Sequence, residues 1–138
     1  MSTTKVTIEA TIAATPEKVW NYWTQPKHIT KWNFANDDWC CPSAENDLKV
    51  GGTYKARMEA KDGSFGFDFE AVYDEVINQK KITYTMGDGR VATTDFEDLG
   101  STTKVATTFD AETENDVEMQ RTGWQAILDN FKKYAETN

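Results

Sequence analysis

The sequence predicts an α+β fold, a curved antiparallel sheet wrapped around a long C-terminal helix, with two short helices between the first and second strands. Three observations predict it. In residues 115–138, Val117, Gln120, Trp124, Ile127, Leu128, Phe131 and Ala135 share one face at about 100° per residue, which is the mark of an amphipathic helix. The middle of the chain alternates apolar and polar residues with period two, and Asp62-Gly63 and Asp88-Gly89 cut it into hairpins. Between the first alternating run and this middle, Thr15-Pro16 and Pro26 each mark a helix start.

Lys5 to Ala13 alternates, with Val6, Ile8, Ala10 and Ile12 against Lys5, Thr7, Glu9 and Thr11, as a half-buried strand does. Thr15 caps a short helix whose apolar side is Val19, Trp20 and Trp23. Pro26 ends it and starts a second one through Trp32. Residues 33–42, NFANDDWCCP, lack a clean period and read as a loop. A short strand around Ala44 to Lys49 ends at Gly51-Gly52. Thr53 to Ala60 puts Tyr54, Ala56 and Met58 in one phase. Phe65, Phe67, Phe69, Ala71 and Tyr73 share a face of the next strand, with Asp68, Glu70 and Asp74 opposite. Asn78-Gln79 turns the chain into a strand lined by Ile82, Tyr84 and Met86. Val91 to Glu97 and Thr103 to Phe109 complete an antiparallel meander around the turn Leu99-Gly100-Ser101. In the final helix Asn115 is placed to cap and Glu118 to complete a capping box. Acidic Asp116 and Glu118 at the start and Lys132 and Lys133 near the end suit the helix dipole.

A chain of 138 residues is expected to form one domain over residues 1–138, with room for a sizeable core. A net charge of −8 argues against nucleic acid and against anionic membrane surfaces. No apolar run approaches the roughly 20 residues of a spanning helix, and the start MSTTKVTIEA is not a signal peptide. Cys40 and Cys41 are adjacent, and a bridge between neighbours is strained and closes no useful loop. The expectation is a reduced, cytoplasmic protein and a monomer.

Three stretches carry a family resemblance: VTIEATIAATPEKVWNYWTQPKHITKW at the start, GGTYKARMEAKDGS in the middle and EMQRTGWQAILDNFKKY at the end. They resemble the family named after the activator of heat-shock protein 90 ATPase, within the START-like (SRPBCC, birch-allergen-type) superfamily. The resemblance implies the helix-grip fold, in which the sheet grips the C-terminal helix. It also implies an apolar or amphipathic, lipid-like ligand between sheet and helix.

Catalytic chemistry is poorly supplied. His28 is the single histidine and reads as an exposed surface residue rather than a triad member. One histidine and a vicinal cysteine pair do not make a tetrahedral metal site. Gly51-Gly52 and Gly87 to Gly89 lie at strand ends without opening a helix, so they are turn glycines and not a phosphate cradle. Asp68 and Glu70, like Arg57 and Glu59, fall on the outward phase of their strands. No cofactor is implied.

The binding candidates are interior residues. From the helices and the following loop come Trp32, Phe34 and Trp39. From the strands come Tyr54, Met58, Phe67, Phe69, Tyr84, Met86 and Phe96. From the last helix come Gln120, Trp124 and Leu128. Gln120 is the polar member of the apolar face and needs partners, either the sheet or water near the open end, or a ligand. The reading is a small-molecule binding protein. A polyketide-cyclase-like enzyme is the alternative if Asp68, Glu59 or Arg57 faces inward. A co-chaperone-like interaction module is the alternative if a broad apolar patch is exposed.

Overall fold

The computed structural model describes residues 4–138. In chain order the elements are β1 (Lys5–Ile12), α1 (Pro16–Thr24), α2 (Pro26–Trp32), β2 (Trp39–Asn46), β3 (Thr53–Ala60), β4 (Gly66–Ile77), β5 (Lys81–Met86), β6 (Val91–Asp98), β7 (Thr103–Asp110) and α3 (Val117–Thr137). The seven strands form one antiparallel sheet in the order β1-β7-β6-β5-β4-β3-β2. The first two strands are therefore its two edges, and α1 and α2 bridge from one edge to the other.

Proline placement explains the two short helices. Pro16 and Pro26 both stand in the first turn, where the missing N–H breaks no bond. Thr15 Oγ1 caps α1 by accepting from the Lys18 N–H. In α3 the cap is Asp116, whose Oδ1 accepts from the Glu118 N–H at 2.7 Å. The expected cap, Asn115, is instead turned back, with its backbone N–H donating to Glu112 Oε1 at 2.9 Å.

The expected loop over residues 33–42 is corrected at its end. β2 already starts at Trp39 and runs to Asn46. Its pairing with β3 slips by one residue between Cys40 and Ser43, and this bulge destroys the period-two signal. Pro42 is tolerated because β2 is an edge strand, where a missing N–H need not break a ladder bond. A second bulge, between Tyr73 and Glu75, bends the long β4 and brings Val76 opposite Ile82.

The core lies between the sheet and the helices. Val6, Ile12, Val105 and Phe109 from β1 and β7 are fully buried against Val19, Ile29, Phe131 and Ala135 from the helices. Rings dominate its centre. Trp23 and Trp32 stack at 4.9 Å, and Phe131 meets each edge-on at the same distance. Trp124 lies flat on Phe109 at 3.9 Å.

One side of α3 closes the open edge of β1. Arg121, Gln125 and Lys132 donate to the carbonyls of Thr7, Glu9 and Thr11 at 3.1, 3.2 and 2.6 Å. Glu136 accepts from the Ala13 N–H at 2.8 Å. These groups satisfy a strand edge that would otherwise be free to pair with another chain.

Candidate functional site

The packed rings of α1, α2 and α3 fill only part of the concave sheet face. Beside them a cavity of about 300 Å³ remains, bounded by β3 to β7, the end of α2 and the middle of α3. Trp32, Tyr54, Met58, Phe67, Phe69, Tyr84, Trp124 and Leu128, all expected from the sequence, line it. The other expected residues lie elsewhere. Phe96 is buried under α1, edge-on to Trp20 at 5.3 Å. Met86 is buried in the core cluster and is not in the wall. Phe34 follows α2, and its carbonyl accepts from Asn130. Trp39 packs outside, against Phe65 and Phe67 at 5.9 and 6.2 Å.

Gln120 does not reach the cavity or the sheet. Its Oε1 accepts from the Glu112 N–H at 2.8 Å, and its Nε2 donates to the carbonyls of Glu112 and Asn115 at 3.2 and 2.9 Å. The buried amide closes the loop that leads into its own helix.

Lining residues not singled out from the sequence are Ile8, Trp23, Asn33, Tyr73, Ile82, Arg90, Thr94, Thr107 and Ile127. Thr94 and Thr107 did carry a signal. Each occupies the inward phase of its strand between apolar residues, and the two hydroxyls bond each other at 2.8 Å. Arg90 carried none, because it stands at a hairpin end.

Three tyrosines form the polar wall. Tyr73 donates to Asn46 Oδ1 at 2.6 Å, and the Asn46 amide donates to the Thr24 carbonyl at 2.6 Å. Tyr54 accepts from Asn33 at 3.1 Å. Tyr84 stacks on Tyr54 at 6.2 Å, and among the described residues its hydroxyl makes no hydrogen bond and is not sealed from open space, since no fully buried side-chain oxygen or nitrogen there lacks a partner. Burial pushes all three hydroxyls above the ordinary tyrosine range, with Arg90 drawing Tyr84 partly back. They stay neutral donors at any physiological pH.

Arg90 owes its position to the β5–β6 turn. Gly89 takes φ +91°, which a side-chain-bearing residue resists, and Asp88 Oδ1 accepts from the Arg90 N–H. Arg90 Nε then donates to Asp88 Oδ2 at 2.7 Å, and Nη1 to the Asp110 carbonyl at 3.4 Å. Asp110 is committed to Lys5 at 2.5 Å and to the Val91 N–H at 2.9 Å, and these bonds hold its carboxyl below the usual range. Beyond Arg90 and Trp124 a smaller hollow opens, walled by Glu112, Asn115, Met119 and Gln120.

Residues proposed to decide other functions lie away from this cavity. Arg57 pairs with Glu59 at 2.8 Å and with Asp68 at 3.6 Å, on the solvent face of the sheet, where Lys55 also meets Glu70. His28, expected on the surface, is half-buried. It stacks on Tyr22 at 4.0 Å and its Nδ1 bonds the Tyr134 hydroxyl at 2.7 Å. Burial and Lys27 lower its pKa. Among the described residues no cluster of three His, Cys, Asp or Glu could hold a metal ion, and no helix is long and apolar enough to cross a membrane.

A meander gripping a C-terminal helix, with a ring-lined hollow between them, defines the helix-grip class. Within it the chain belongs to the family described as activator of Hsp90 ATPase homolog 1-like protein, whose model matches residues 13–136. An AHSA1-like protein from Aeromonas hydrophila is 42% identical, with a TM-score of 0.92 over 97% of this chain and 93% of that one. A protein from Cytophaga hutchinsonii is 51% identical, with a TM-score of 0.83 over 97% of this chain and 93% of that one. The Aha1 dimer from Colwellia psychrerythraea shares the fold at 20% identity, with a TM-score of 0.73 and 96% of each chain covered. A comparison with curated proteins finds no match.

Proposed function

We propose that the chain binds a small apolar or amphipathic molecule between its sheet and its C-terminal helix. One observation carries the reading. The cavity keeps about 300 Å³ open although three Trp residues (Trp23, Trp32 and Trp124) already stand in its wall. That volume is at the lower end of ligand sites, roughly 300–1,000 Å³. The wall is apolar with a few convergent hydroxyls, which is the composition such sites use. We read the protein as a cytoplasmic monomer, consistent with its unbridged Cys40 and Cys41.

The test is native mass spectrometry of gently purified protein, then tryptophan fluorescence against fatty acids, flavonoids and polyketides. The expected result is a saturable fluorescence change that Ile127→Phe abolishes while the thermal midpoint is kept. Ile127 is half-buried in the wall, so the added ring enters the open space. Ala56 is no substitute for it. It is fully buried beside Cys41 and Met58, and enlarging it would strain the sheet. An unliganded mass and a flat panel would remove the reading.

A second reading rests on the trio Trp39, Phe65 and Phe67 at the β3–β4 hairpin, where Phe65 is 59% and Phe67 42% exposed. Such a patch can serve a protein partner. Phe67→Ser with Phe65→Ser would abolish that contact.

A further inference from the structure

We propose that the cavity selects a monocarboxylic acid, holding its carboxylate between the Arg90 guanidinium and the Tyr84 hydroxyl and its flat apolar body against Trp124, Phe69 and Leu128. The inference rests on the binding reading above and deepens it.

Among the described residues Arg90 is the one charged residue in the cavity wall. Its side chain is 25% exposed, so most of it is withdrawn from water. Its Nε and Nη1 are used by Asp88 and the Asp110 carbonyl. Among the described residues its Nη2 makes no hydrogen bond, so one edge of the fork remains to donate. Most other polar groups of the wall are engaged: Thr94 with Thr107 and Tyr73 with Asn46, while Tyr54 accepts from Asn33 and keeps its own O–H free. Tyr84 makes no hydrogen bond at all among the described residues, and it lines the same cavity wall as Arg90, whose charge lowers its pKa. Arg90 and Tyr84, the first of them cationic, therefore both bring a donor without an acceptor to the wall of one apolar cavity. A ligand that brings an acceptor there satisfies both, and an anion does so with charge-assisted bonds.

The surrounding charges narrow the choice. Asp88 and Asp110 answer Arg90 and Lys5 one for one, and Glu112 stands in the hollow beyond. The neighbourhood has no surplus positive charge to hold a phosphate dianion. A single carboxylate matches a single free guanidinium edge. The modest volume has room for one or two fused rings.

The experiment compares 1-naphthylacetic acid with 1-naphthylacetamide, two probes of the same shape and different charge, by calorimetry at fixed ionic strength. The acid is expected to bind at least about tenfold more tightly than the amide. Arg90→Gln should weaken the acid far more than the amide and so erase that preference, and Tyr84→Phe should reduce it severalfold. Circular dichroism and the thermal midpoint report that each variant is folded, and the wild-type pair tests the preference even if Arg90→Gln fails to fold. Equal affinity for acid and amide would overturn the proposal and leave the binding cavity standing, with Arg90 tying the β5–β6 turn to the end of β7. Binding of neither probe, together with a flat panel, would overturn both.

Discussion

Gln120 and Cys41 show how far a side chain's role depends on neighbours that are distant in the pattern. Gln120 sits on the apolar face of α3, yet its amide is spent on residues five and eight positions earlier. Gln120→Leu would leave the half-buried Glu112 N–H and the Glu112 and Asn115 carbonyls without this partner while keeping the volume. It should cost about 1–3 kcal/mol in denaturant unfolding and leave the affinity for any cavity ligand unaltered. Loss of binding at unchanged stability would instead put Gln120 in the site. Cys41 is buried beside Ala56 and Met58, and burial with the nearby Cys40 pushes its thiol up to about 11. At pH 8 about one in a thousand Cys41 thiols is then ionised. Iodoacetamide should therefore leave Cys41 unmodified in the native protein, with labelling rising only as the pH nears 11 or when denaturant opens the fold. Rapid double alkylation at pH 8, read by mass spectrometry, would contradict the burial. Neither role was visible in the residue itself. An amide in an apolar stripe announces that it needs partners but not where they are, and a CysCys pair looks alike in a loop and in a strand.

At the scale of elements, the periods were legible wherever nothing interrupted them. Alternation located β1 and β3 to β7, and the 3.6-residue stripe located α3 together with Leu128, Phe131 and Ala135 as its buried face. β2 was only half legible, because the bulge after Cys40 shifts its phase and Pro42 reads as a breaker. The second role of α3 was not legible at all. Arg121, Gln125 and Lys132 look like an ordinary solvated face, yet they cover the β1 edge. Exposed polar bonds of this kind contribute little to stability, typically below about 1 kcal/mol each. Replacing all three with alanine should thus lower the unfolding midpoint only modestly. It should also raise self-association sharply, because the carbonyls of Thr7, Glu9 and Thr11 become free to template another strand. Light scattering against concentration checks this, and an unchanged oligomeric state would mean that the edge is protected by its twist alone.

Across the whole molecule, packing is uneven in a way that matters for binding. The fully buried Val6, Ile12, Val105, Phe109, Phe131 and Ala135 tie β1 and β7 to α3, while α1 and α2 add Val19 and Ile29. The opposite half, β2, β3 and the first half of β4, has a small cluster of Cys41, Ala56 and Met58 and turns Tyr54 and Phe69 toward open space, while Ala71 and Tyr73 farther along β4 join the main core. Fewer buried contacts mean cheaper local opening. Amides of β1, β7 and the middle of α3 should exchange hydrogen only through global unfolding. Those of β2, β3 and the first half of β4 should exchange at least about tenfold faster through partial opening. A ligand between the halves would then act where the structure is weakest. At 100 times its dissociation constant it adds about 2.7 kcal/mol to the folded state, and the added protection should concentrate in β3 to β5 and around Trp124. Hydrogen exchange followed by mass spectrometry, with and without a bound probe, reads both effects. Uniform protection across the sheet, unchanged by the probe, would mean that the half around the tyrosines is as tightly closed as the rest and that its open volume does not receive a guest.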